Sequence, residues 1–119
     1  AGVSSLARGS DEPMAGALLE TWVAQNLAAI LAAHWPDARL HTWTVAGRYE
    51  VDFVIELGRD CIAVEVKAAA RWHDRDLRGL EAFLACTPRC RAGVLAHNGA
   101  DAVRLGDRLW AVPIPWLVS

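Results

Sequence analysis

Arg48-Tyr49-Glu50-Val51-Asp52-Phe53-Val54-Ile55-Glu56-Leu57, followed after a short break by Cys61-Ile62-Ala63-Val64-Glu65-Val66-Lys67, carries the strongest structural signal in this chain. Both runs alternate apolar and polar residues, the period of a half-buried strand. Val51, Phe53, Ile55 and Leu57 form one face of the first run, against Glu50, Asp52, Val54 and Glu56 on the other. Ile62, Val64 and Val66 are the apolar face of the second. Gly58-Arg59-Asp60 between them predicts a tight antiparallel turn. Glu50 and Asp52 then share a face, as do Glu65 and Lys67, and pairing brings Asp52 beside Glu65.

Two ionised carboxylates side by side repel each other. A protein tolerates them where a hard cation such as Mg²⁺ takes their oxygens as ligands. A lysine two residues beyond a ligand acid reaches the same region, where an ammonium opposes negative charge building on an attacked phosphate. The plainer alternative is an exposed sheet face with an ordinary Glu65–Lys67 pair, which contributes little.

Upstream, Pro13 opens a helix from Met14 to about His34, with Leu19, Val23, Leu27 and Ile30 on one side and Thr21, Gln25, Ala28 and Ala32 on the other; Pro36 ends it. Glu20 stands on the apolar side, in line with Val23, Ala24, Leu27 and Leu31. A glutamate there either snorkels at the edge of the stripe or faces the sheet and joins the acids. Arg39 to Val45 reads as a strand, with Ala46-Gly47 as the turn into the next. Downstream, Asp74 or Asp76 caps a helix to about Ala85, Arg91 to His97 reads as a buried strand, and Leu109 to Ile114 as a last one. Pro113 and Pro115 predict an edge position for it.

At 119 residues and 54 % apolar composition, the chain has room for one core, so residues 13–119 are expected to form a single domain behind a flexible lead-in, 1–12. The N-terminus lacks an apolar signal core and reads as a cut end of a longer protein. The apolar run Leu27 to Trp35 is too short to span a membrane. Three cysteines cannot all pair, which points to the reducing cytosol. A net charge of −2 supplies no global attraction for a polyanion, so any DNA contact must be local. Arg71, Arg75 and Arg78, then Arg89 and Arg91, cluster into a local basic rim; Arg71 and Arg75 are candidate phosphate contacts, with Trp72 beside them as a stacking ring for a base; a solvated charged surface and a Trp72 packed under the second helix are the alternatives. No glycine-rich phosphate loop is present. Cys86, Cys90 and His97 could be drawn as a zinc site, but a fourth ligand is missing.

Glu20 on a first helix, Asp52 within Arg48-Tyr49-Glu50-Val51-Asp52-Phe53, and Ala63-Val64-Glu65-Val66-Lys67 on the next strand together resemble the PD-(D/E)XK nuclease superfamily. The resemblance covers about Gly16 to His97. In its closest form it is similar to the nuclease-like C-terminal domain of prokaryotic AAA+ ATPases; the proline that often precedes the aspartate in that signature is Val51 here. It implies an α/β restriction-endonuclease-like fold, an αβββαβ core with a mixed central sheet flanked by helices. It also implies that Asp52, Glu65 and the Val66 carbonyl hold Mg²⁺ or Mn²⁺, that Lys67 activates water, and that Glu20 is an accessory acid. The expected activity is hydrolysis of DNA phosphodiesters, with an ATPase domain as the attached partner. A non-catalytic module of the same fold that binds nucleic acid or a partner is the alternative. No membrane partner is expected, and self-association stays open.

Overall fold

Leu19, Val23, Leu27 and Leu31 recur at every fourth position and all four are buried, so the first helix lies on the sheet along one stripe. The structure, a computed structural model, describes residues 12–45 and 48–118. The predicted lead-in falls outside these residues except for Glu12, and the predicted Ala46-Gly47 turn also lies outside them. Helix α1 spans Glu12–His34. Its Gly16–His34 stretch is long and apolar enough to cross a membrane by length and composition, which the shorter run Leu27 to Trp35 did not suggest.

Strands β1 (Arg39–Val45), β2 (Tyr49–Leu57) and β3 (Asp60–Lys67) follow in antiparallel succession. Gly58, at φ 64°, makes the turn that only a residue without Cβ adopts at little cost. A 3₁₀ turn (Asp74–Leu77) runs into helix α2 (Arg78–Cys86), which crosses back so that β4 (Cys90–His97) lies parallel to β3. Then come β5 (Val103–Gly106), β6 (Leu109–Pro113) and a short α3 (Ile114–Val118). The result is a mixed α/β architecture with one six-stranded sheet, ordered β1-β2-β3-β4-β6-β5.

The prediction for β6 is corrected. It is an interior strand, parallel to β4 and antiparallel to β5. Its prolines fit because Pro113 is the last strand residue and β5 reaches only to Ala111, so no strand faces Pro113 on that side. Pro115 stands in the first turn of α3, where a missing N–H costs nothing.

The clean alternation predicted for β2 is corrected as well. Between the pairs His41–Val54 and Trp43–Val51, the single residue Thr42 faces both Asp52 and Phe53. This is a β-bulge, and it changes which face each side chain takes. Val51 and Val54 pack with Leu80, Phe83 and Leu95 beneath α2. Phe53 and Ile55 pack on the opposite face with Leu19, Val23 and Leu27 of α1.

Gly79 locks α2 onto β2 at this point. A Cβ there would collide with the carbonyl oxygen of Glu50. Gly79→Ala should destabilise the domain by about 2–3 kcal/mol through overpacking, although helix propensity alone favours alanine by about 1 kcal/mol. Urea unfolding decides between the two, and a stabilised variant would mean that the helix does not sit this close.

Candidate metal-type site at the parting of two strands

The β2–β3 ladder runs from the turn as far as Phe53 and Val64 and stops there. Beyond that pair the strands are joined by side chains. Glu65 Oε1 accepts the backbone N–H of Asp52 at 3.0 Å, and Asp52 Oδ2 accepts the backbone N–H of Val66 at 2.8 Å. Each carboxylate thus replaces a ladder bond on the neighbouring strand, satisfying donors that a parting sheet would leave unpaired. One oxygen of each carboxylate remains uncommitted by these bonds.

Glu65 is pushed up to about 9, first by burial, then by hydrogen bonding to Asp52 and its charge, with a smaller push from Glu20. Glu20 is also raised, by burial and by the charges of Asp52 and Glu50. Those charges reach Glu20, but it does not join the acids as the second of its two sequence readings has it. Among the described residues, no three His, Cys, Asp or Glu side chains converge tightly enough to hold a metal ion. Asp52 and Glu65 are a pair, and Glu20 stands outside it.

The donor chemistry of that pair fits a hard cation. It consists of oxygen ligands only, and burial, reinforced by Asp52, disfavours the charged form of Glu65 where no positive charge offsets it. Val66 follows directly on β3, and its N–H is the one tied to Asp52.

Lys67 is on the same strand face as Glu65, but its ammonium is engaged elsewhere. Nζ lies 3.3 Å from Asp76 Oδ1 in the 3₁₀ turn. Asp76 Oδ2 accepts the N–H of His73 at 2.8 Å. Burial alone would raise Asp76, but the His73 N–H and Lys67 outweigh it and hold its carboxyl below the usual range. The sequence offered Asp76 only as a helix cap. A signal for Lys67 itself was present in the composition, since it is the only lysine in a chain with eleven arginines.

A cleft of about 680 Å³ opens beside these groups, walled by Glu65, Lys67 and Asp76 and by Arg48, Arg75 and Arg78. Among the described residues, none of the three arginines has a carboxylate within 4.0 Å. Arg48 lies over the Tyr49 ring at 5.5 Å. Of the two arginines proposed from the sequence as phosphate contacts, Arg75 lines the cleft. Arg78 belongs to the arginine cluster read from the sequence, whereas Arg48 was not singled out as a phosphate contact, because a lone arginine before a strand has no distinguishing neighbour. Arg71 is exposed and does not line the cleft. Trp72 is half-buried against the core beneath α2, which agrees with the packing alternative.

The zinc drawing fails on geometry. Cys90 and His97 are the first and last residues of β4, roughly 23 Å apart at the rise of a strand. His97 is buried with Nδ1 accepting the Gly99 N–H at 2.9 Å. No curated protein matches the chain. The family described as a domain of unknown function (DUF4143) matches over residues 15–117, and the chain belongs to that family.

Proposed function

We infer that this domain is a metal-dependent nuclease of the PD-(D/E)XK type that hydrolyses DNA phosphodiester bonds as part of an ATPase-containing protein. The observation that carries the reading is the reciprocal pairing of Asp52 and Glu65 where β2 and β3 part, with the only lysine two residues further on. The order α1, β1 to β3, α2, β4 agrees with the αβββαβ core that the sequence resemblance implies. Membership of a family commonly found with AAA ATPases supports the second half of the reading.

Asp52, Glu65 and the Val66 carbonyl would hold Mg²⁺ or Mn²⁺, whose chemistry is to polarise a phosphoryl oxygen and make water more acidic. Arg75, with Arg48 and Arg78, takes the phosphates along the cleft, a local basic wall on a chain whose net charge is −2. Lys67 opposes the charge that develops on the attacked phosphorus group. Glu20 adds a third carboxylate and makes a positive charge at the pair more favourable.

Calorimetric titration of Mn²⁺ tests the site. Wild type should give binding heat, Asp52→Asn little or none; equal and negligible heats in both remove it. A second reading, a non-catalytic module that binds nucleic acid, is favoured by the engagement of Lys67 with Asp76. It takes over if wild type with Mn²⁺, alone and joined to its natural upstream region, cuts neither branched, single-stranded nor duplex DNA.

A further inference from the structure

Glu65 and Lys67 project to one face of β3 and both line the cleft, so the lysine stem starts on the side of the Glu65 carboxylate. A flexible four-carbon stem with one compact charge would ordinarily settle on the nearest acid. If Asp76 were absent, the acids left on its side of the cleft would include the Asp52–Glu65 pair, where a bound ammonium would occupy the very oxygens a divalent cation needs. Lys67 is instead 3.3 Å from Asp76, and among the described residues Asp76 is its only carboxylate partner.

Asp76 is well placed to keep it. Its second oxygen is fixed by the His73 N–H at 2.8 Å, so the carboxylate is anchored to the 3₁₀ turn rather than free to follow the lysine. Its side chain is only 14 % exposed, against 37 % for Lys67, so the pair is partly shielded from water. Leu77, the next residue, is buried in the core beneath α2 and fixes the turn in place.

We propose that Asp76 is a positioning residue: it holds Lys67 off the Asp52–Glu65 pair and so reserves those carboxylates for a divalent cation. This rests on the metal-site reading given above. In wild type the lysine and the cation do not compete. Without Asp76 they do, because Lys67 is then drawn to the same two acids.

Asp76→Asn keeps an oxygen for the His73 N–H and removes only the charge. It should weaken Mn²⁺ binding roughly tenfold, the scale of one competing charge-assisted contact. Adding Lys67→Ala to Asp76→Asn should restore the affinity to that of Lys67→Ala alone, which damage to the turn would not allow. A metal-free readout runs in parallel, since the only lysine gives a single set of side-chain carbon resonances. In NMR spectra without metal, Asp52→Asn should leave the Lys67 Cε signal unmoved in wild type and shift it in the Asp76→Asn background. Unchanged Mn²⁺ affinity in Asp76→Asn overturns the proposal, and so does a loss that Lys67→Ala does not reverse. If wild type binds no Mn²⁺ while the Cε pattern holds, the metal reading falls and the restraint of Lys67 by Asp76 stands; if neither appears, both fall.

Discussion

Glu65→Gln should make the metal-free domain more stable at pH 7 by as much as about 3 kcal/mol, and the gain should grow with pH. In the folded state the Glu65 carboxyl is raised from 4.5 to about 9, chiefly by burial and by Asp52. Between those values the folded protein binds a proton that the unfolded chain releases. Stability of wild type therefore falls as pH rises through this window, by at most about 1.4 kcal/mol per unit for one proton. The penalty is absent below about 4.5 and complete above about 9. Glutamine keeps an oxygen for the Asp52 N–H, offers an amide donor toward Asp52, and has no proton to gain. Denaturant unfolding in a chelator from pH 5 to 9 should show a falling line for wild type and a flatter one for the variant. Mn²⁺ should reverse the ranking above pH 7, because only the glutamate supplies a charged ligand. Parallel lines without metal would mean that Glu65 ionises freely and that the two acids are ordinary surface groups.

Lys67→Ala should slow Mn²⁺-dependent DNA cleavage about 100-fold while leaving DNA binding nearly intact. The size is that of losing one preorganised charge that acts only as the phosphate is attacked. Lys67→Arg should restore little of it. The guanidinium is broad, planar and forked where the ammonium is compact, and arginine occupies every other basic position in the chain. Arg75→Ala should behave oppositely, weakening binding and flattening its salt dependence with the chemical step unchanged, because Arg75 lines the cleft and has no ion-pair partner among the described residues. Single-turnover kinetics at saturating DNA separate the two effects. A Lys67→Ala variant that cuts at the wild-type rate would remove the lysine from the chemistry.

The parts of this site that follow from period and spacing were legible in the sequence. Three of the α1 stripe positions, Leu19, Val23 and Leu27, are buried as predicted, while Leu31 takes the place expected for Ile30. The Asp52–Glu65 neighbourhood follows from two alternating runs and a turn. What depends on partners was not legible. The bulge at Asp52 and Phe53 is a matter of register against β1, and no residue in β2 announces it. Strand β5 consists of four residues with none buried, so it shows no apolar period. Asp76 carries the signature of a helix-start acid, and its contact with Lys67 depends on how the loop after β3 returns over the sheet.

The bulge also separates what the fold needs from what the site needs. With residue 52 left out of the count, Val54, Phe53 and Val51 would stand opposite His41, Thr42 and Trp43 in unbroken one-to-one order. Val54 and Val51 would still serve the core beneath α2, and Phe53 the core beneath α1, as they do now. Asp52 is thus a supernumerary residue, a syllable inserted into a strand whose metre is complete without it. Sheet and acid can therefore drift apart in evolution: a loss of one codon would leave every core side chain on its own side, and a descendant so altered would keep the architecture while giving up the carboxylate.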